Sequence, residues 1–169
     1  MKIGLMSDTH SYLDPKVLHY FKNVDEVWHA GDVGNIDVID SIREIKPVRG
    51  VYGNIDDNVV RLDLPEIKRF TLNGVRVLMM HIGGRPGRYT EQARLEIQKA
   101  PIDLFICGHS HILLVQKDPK YGFVHMNPGA CGVHGFHKVK TLLRFELLNG
   151  KIENLEAIEI GPRARVKED

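Results

Sequence analysis

The sequence predicts an α/β fold in which two β-sheets pack face to face with helices outside. Three features of the chain lead there. The first third alternates short apolar runs with stretches of helical periodicity, the pattern of a parallel sheet covered by helices. An Asn73-Gly74 pair then joins two β runs, the strongest short hairpin signal. The last third holds strands alone, so parallel pairing is expected early and antiparallel pairing late.

Taken in order, Ile3–Met6 is a short apolar run suited to a buried parallel strand. Asp14-Pro15 reads as an N-cap followed by proline at the first helical position. Val17, Leu18 and Phe21 fall on one face behind it. Glu26–His29 is the second strand, ending at Gly31-Asp32. Val38, Ile39, Ile42 and Ile45 recur at helical spacing, so the second helix is expected over Ile36–Ile45. Pro47 stops it, and Val48–Tyr52 is the third strand, ending at Gly53-Asn54. The hairpin follows as Ile67–Leu72 and Val75–Met80. Thr90 can cap a helix over Glu91–Lys99 with Ala93 and Ile97 on one side. Strands are then expected over Asp103–Cys107, Ile112–Gln116, Phe123–Asn127, Leu142–Leu148 and Ile152–Ile160. Residues 1–169 read as one domain, with 161–169 a charged tail expected to fray.

Composition narrows the functional classes. With 43% hydrophobic and 27% charged residues the chain is of ordinary globular type. A net charge of +1 gives no global attraction for nucleic acid. No apolar stretch approaches the roughly 20 residues of a membrane helix, and Met1–Met6 lacks the apolar core of a secretion signal. Cys107 and Cys131 form no CxxC pair. A cytoplasmic protein with free thiols is expected.

The informative residues stand where strands end. Asp8-Thr9-His10 follows the first strand, Gly31-Asp32 the second and Gly53-Asn54-Ile55-Asp56 the third. His81 follows the hairpin, and Gly108-His109-Ser110-His111 follows the strand after it. Each alone has an ordinary explanation: Asp32 as a helix cap, Asn54 as a turn residue, His81 as a hydrogen-bonded core histidine. Caps and turns, however, do not require five strand ends to choose only metal-compatible side chains. Ligands bind at the C-terminal edge of open α/β sheets. Carboxylate, amide and imidazole donors suit manganese, iron or zinc, and the absence of cysteine argues against a thiolate site. Asp8 and His10, two apart on an extended chain, are expected to point the same way, as are His109 and His111. The glycines before Asp32, Asn54 and His109 are expected to supply sharp turns.

Asp8-x-His10, Gly31-Asp32, Gly53-Asn54-x-Asp56, His81 and Gly108-His109-x-His111 together resemble the motif series of the calcineurin-like metallophosphoesterases. The short length and Asn127-Pro128-Gly129 resemble the small YfcE-like phosphodiesterases. The resemblance spans about residues 1–150. It implies a four-layer α/β/β/α sandwich and two divalent metal ions, manganese first, with iron, zinc, nickel or magnesium also compatible. It implies that Asp8, His10, Asp32 and His111 hold one ion. Asp32 would bridge to a second ion completed by Asn54, His81 and His109. The implied activity is hydrolysis of a small phosphate ester, most simply a diester, by water activated between the ions. The subgroup also implies a homodimer, and nucleic acid and membranes are not expected partners.

Two departures matter. Relatives often carry His after Gly-Asn as a general acid or phosphate contact, and here that position is Ile55. After His81 the chain reads Ile82-Gly83-Gly84-Arg85 in place of a Gly-His continuation. Arg85 and Arg88 in that loop are candidates for a second phosphate or a sugar edge, although solvated loop arginines are the commoner case. His19, His29, His125, His134 and His137 are assigned structural or surface roles, with the last pair in a Gly-rich loop placed to flank the cleft. Trp28 and Cys107 are assigned to packing. The alternative is a metal-binding scaffold of the same fold with little catalytic activity, since a relative in the eukaryotic retromer coat uses this fold chiefly for protein contacts.

Overall fold

A computed structural model describes residues 1–163 of the chain. The first sheet contains β1 (Lys2–Met6), β2 (Glu26–His29), β3 (Val48–Gly50), β11 (Val139–Leu148) and β12 (Lys151–Pro162), in the order β12-β11-β1-β2-β3. The second contains β4 (Ile67–Leu72), β5 (Val75–Met80), β8 (Leu104–Ile106), β9 (Leu113–Lys117) and β10 (Val124–Pro128), in the order β4-β5-β8-β10-β9. A small hairpin, β6 (Gly84–Arg85) with β7 (Arg88–Tyr89), stands apart. The helices are α1 (Pro15–Tyr20), α2 (Asp37–Arg43), α3 (Asn58–Asp63) and α4 (Glu91–Lys99).

Side-chain alternation builds the layers. Ile3, Leu5 and Trp28 of the first sheet meet Val77, Met79, Leu104 and Ile106 of the second in one buried cluster between the sheets. Met6 and Val27 point to the opposite face, where Val17, Phe21, Ile39, Ile42 and Val60 cover them. Gly4 is required there, because a Cβ would sit 2.6 Å from the Phe21 ring. Leu78, Met80 and Phe105 face outward from the second sheet against Ala93 and Ile97 of α4. The result is the expected α/β/β/α sandwich. Trp28 is fully buried, and its Nε1 donates to Glu26 Oε1 at 3.0 Å.

Both sheets are mixed. β1, β2 and β3 run parallel, while β11 pairs antiparallel with β1. In the second sheet β5, β8 and β10 are parallel, with β4 and β9 antiparallel at the edges. The expectation of antiparallel pairing late in the chain therefore fails at β10, which lies beside β8 with β9 folded back outside it.

Several boundaries also move. The third strand stops at Gly50, because Tyr52 turns its amide to Pro65 O at 3.0 Å. The second helix stops at Arg43, and exposed Ile45 lies beyond it. The tail expected to fray begins inside β12: Gly161 pairs with Lys140 and Pro162 with Val139. The remainder of that tail, 164–169, lies outside the described residues. Helix α3 and the hairpin β6–β7 were not anticipated. Asp57 Oδ1 accepts from the amides of Val59 and Val60 at 3.0 and 3.1 Å and so starts α3.

Candidate metal centre

The C-terminal ends of β1, β2 and β3 lie side by side in one sheet, and those of β5 and β8 lie side by side in the other. Their loops interlock through the backbone. Asp8 N donates to Gly31 O at 3.0 Å, His10 N to Asp32 O at 3.1 Å and Ser11 N to Val33 O at 2.8 Å. Gly108 N donates to His81 O at 3.0 Å within the second sheet's loops, and His109 N donates to Asp8 Oδ2 at 3.2 Å, tying the two sheets together at the site.

These loops are not extended. Asp8, His10, Asp32, His109 and His111 have φ of 56°, 47°, 53°, 68° and 57°. Left-handed backbone costs a non-glycine residue about 1–2 kcal/mol, and it persists where the surroundings over-determine it. The shared direction of Asp8 and His10 therefore comes from curled, cross-bonded loops and not from strand alternation. The glycines likewise have another role than expected at two of three positions. Gly31 does turn, at φ 97°. Gly53 and Gly108 instead leave room: a Cβ on Gly53 would lie 2.1 Å from Asp32 Oδ1, and one on Gly108 2.1 Å from Ser7 Oγ.

Six of the seven expected ligands fall into two adjacent groups. Asp8, His10 and His111 bring one ligand atom each within 4.8 Å of one another, and so do Asp32, His81 and His109. His111 Nε2 lies 3.2 Å from Asp8 Oδ1. Asp32 joins the groups: Oδ1 is 3.2 Å from His81 Nε2, and Oδ2 is 3.7 Å from His10 Nε2. Asn54, the seventh, is exposed and lines a cavity of about 210 Å³ together with His81. Ile55 is exposed, and its amide donates to Asp32 Oδ1 at 3.1 Å.

The donors fit a divalent cation. Asp8 Oδ1, His10 Nε2 and His81 Nε2 are buried without a hydrogen-bond partner, a costly state for polar atoms unless something binds them. His81 Nδ1 lies 2.8 Å from Ala30 O. The proton belongs on Nδ1, donated to that carbonyl, so Nε2 is left with its lone pair facing the carboxylates.

Charge follows the same geometry. Burial opposes ionisation of Asp32, but the adjacent His81 and the Ile55 amide outweigh it and hold the carboxyl below its ordinary value. Burial would lower His81, yet Asp32 and Asp8 raise it above normal. Burial keeps His10 low despite the same two carboxylates.

A supporting layer was missed in the sequence. His29 is fully buried, and burial depresses its pKa to about 4. Its Nδ1 accepts from Gly31 N at 3.2 Å, so Nε2 donates to Thr9 Oγ1 at 3.0 Å. Thr9 Oγ1 in turn donates to Val33 O at 2.9 Å. Asp56 accepts from Gly34 N and Gly53 N, both at 2.7 Å, and fixes the loop bearing Asn54. Asn127 Nδ2 donates to Gly108 O at 2.8 Å beneath His109. His29 beside the Gly31-Asp32 loop, the Asn54-x-Asp56 spacing and the Asn127-Pro128-Gly129 run were the signs of this layer in the sequence.

Of the remaining residues, Arg85 and Arg88 are exposed on β6–β7. The flanking expected of the Gly-rich loop is realised: the His134 ring is 5.0 Å from His10, and the His137 ring is 5.3 Å from His111. His19 is exposed against Tyr20. Cys107 and Cys131 are free and buried, and burial raises both thiols to about 12. No described helix is long and apolar enough to cross a membrane.

Known proteins bear the same features. The family model of the calcineurin-like phosphoesterase superfamily domain matches residues 1–150. A probable metallophosphoesterase of Methanocaldococcus jannaschii is 31% identical over 138 residues, covering 77% of this chain and 68% of that protein. A phosphodiesterase of the same organism is 25% identical over 155 residues, covering 78% and 84%. Among solved structures, the Escherichia coli phosphoesterase YfcE superposes with a TM-score of 0.65 at 19% identity, covering 94% of this chain and 100% of that one. Chaetomium thermophilum Vps29 gives 0.72 at 16% identity, covering 96% and 99%. At those identities the two structures speak for the fold alone.

Proposed function

Because the chain belongs to the calcineurin-like phosphoesterase superfamily, we propose that it hydrolyses a small phosphodiester with two divalent ions. Asp8, His10, Asp32 and His111 would hold one ion. His81 and His109 would hold the second together with Asp32 and, on the family resemblance, Asn54. The observation that carries this reading is Asp32, whose two oxygens face different histidine groups across three buried, unpartnered ligand atoms. Bound ions supply Lewis acidity that lowers the pKa of water and neutralises charge on phosphate oxygens. The donor set is satisfied by manganese first, and by iron, zinc, nickel or magnesium.

The chain's own residues do the positioning. Ala30 O holds His81 in one tautomer, the Ile55 amide holds one oxygen of Asp32, and Asn127 holds the turn before His109. Overall, one water is consumed, one phosphorus–oxygen ester bond breaks, and the alcohol leaves with a proton. Ile55 has no proton to give, so the leaving oxygen takes it from solvent, and good leaving groups are favoured. A diester is preferred on the strength of the phosphodiesterase relative. Free Cys107 and Cys131 suit a cytoplasmic setting.

The test is metal content and turnover measured together on manganese-loaded protein with bis(4-nitrophenyl) phosphate and 4-nitrophenyl phosphate. The expected result is about two ions per chain and faster turnover of the diester. About one ion per chain or fewer contradicts the reading. Metal bound without turnover of either ester favours the scaffold alternative, which at present draws only on likeness of fold.

A further inference from the structure

Beside the second ligand group lies a cavity of about 610 Å³, within the range of small-molecule sites. His109 borders it at the metal centre, and Ile82, Ile112 and Leu114 supply apolar wall. Arg85 and Arg88 line it as well. His109, an apolar wall and two cations thus border one cavity.

The arginines are held as a pair. Arg85 and Arg88 are direct cross-strand partners in β6–β7, so their side chains leave the same face of the ribbon. Pro86-Gly87 joins them, with Gly87 at φ 80°, which suits the second central position of a type II turn. Gly84 is at φ 82°, and a Cβ there would lie 2.4 Å from Arg88 O, so the ribbon closes tightly behind the pair. Thr90 N donates to Gly83 O at 3.1 Å and anchors the ribbon's base to the start of α4. Like charges directly opposite on adjacent strands destabilise a hairpin. Neither arginine forms a salt bridge among the described residues, although Arg43, Arg49, Arg69, Arg76 and Arg144 all do. Two facing guanidinium forks on a rigid turn match a phosphate, which can accept from both. Buried His125 also borders the cavity.

We propose that this cavity receives the organic group of the substrate and that this group carries a second phosphate, held by Arg85 and Arg88. The substrate class is then a compact phosphodiester that carries a second phosphate, with an apolar or planar body between the scissile diester at the metal centre and the terminal phosphate at the hairpin. This rests on the phosphoesterase reading above and narrows it.

Calorimetry on manganese-loaded protein separates the two ideas, with thymidine 3′,5′-bisphosphate and thymidine 5′-monophosphate as probes. Wild type is expected to bind the bisphosphate at least about 10-fold more tightly, as paired charge-assisted contacts would give. In R85Q/R88Q the preference is expected to fall below about 2-fold, and in R85K/R88K to be intermediate, because charge remains but the forks are lost. Equal binding of the probes by wild type, or a preference that survives in R85Q/R88Q, overturns the proposal. Circular dichroism of the variants, whose changes lie on an exposed ribbon, verifies that they remain folded. Turnover of the 4-nitrophenyl ester of thymidine 5′-monophosphate by wild type is scored separately, and its failure counts against the phosphoesterase reading whichever way the binding preference falls.

Discussion

Asp32 turns its two carboxylate oxygens to different histidines, His81 at 3.2 Å and His10 at 3.7 Å. Asp32→Asn keeps the shape and removes the charge. It is expected to lower both metal content and kcat, the latter by at least about 100-fold, as read by elemental analysis and diester turnover. Ile55 sits beside the same residue through its amide. Ile55→His is expected to raise turnover of an alkyl phosphate ester about 10-fold or more while changing a nitrophenyl ester little, because only the poor leaving group needs an acid. No gain on the alkyl ester would contradict the account of this position. His29 and His125 make a prediction about pH. Burial depresses both to about 4, below the ordinary value of about 6.5. The unfolded chain therefore binds protons first as pH falls. The stability they contribute is complete above about pH 6.5 and is lost progressively towards pH 4. Urea denaturation is expected to show a loss on the order of 2 kcal/mol per histidine between pH 7 and pH 5, and His125→Gln should flatten the profile. Which residues would gather was legible in the sequence because metal chemistry restricts side-chain type, and six of the seven proposed ligands fall into two groups. Their left-handed backbone was not, since Asp and His are enriched at positive φ but adopt it far less often than glycine.

At the scale of elements, the strand-to-loop junctions decide whether ligand atoms meet. Gly53 stands where a Cβ would collide with Asp32 Oδ1 and Asp32 N. Gly53→Ala is expected to displace that carboxylate and weaken metal binding about 10- to 100-fold, as followed by metal titration. Unchanged affinity would show that the close approach is not needed. The elements that position the site were readable where patterning was strong. The hairpin β4–β5 and helix α4 match their expected bounds because Asn73-Gly74 and the Thr90 cap are local signals. Helix α3 was missed because it buries only Val60 and leaves Val59 and Leu62 exposed, so no apolar stripe marks it. The Asp57 cap was its one available signal. Hairpin β6–β7 is too short to show alternation, and Pro86-Gly87 alone announced it.

At the scale of the molecule, two sheets present their loops to one place, and that convergence depends on strand order. No local pattern reveals that β11 returns beside β1 or that β10 lies beside β8, since such pairings join residues far apart in sequence. Family was more legible than topology, because five strand ends share one donor chemistry. Chelation is expected to lower the midpoint of thermal unfolding and manganese to restore it, since an ion bound only by the native state stabilises it by mass action, by about 4 kcal/mol at a thousandfold excess over Kd. The most direct test of the central claim is a crystal structure of manganese-soaked protein with anomalous difference maps at the manganese edge. Two peaks flanking the Asp32 carboxylate, one beside Asp8, His10 and His111 and the other beside Asn54, His81 and His109, are the predicted result. A single peak, or peaks that do not share Asp32, would contradict it.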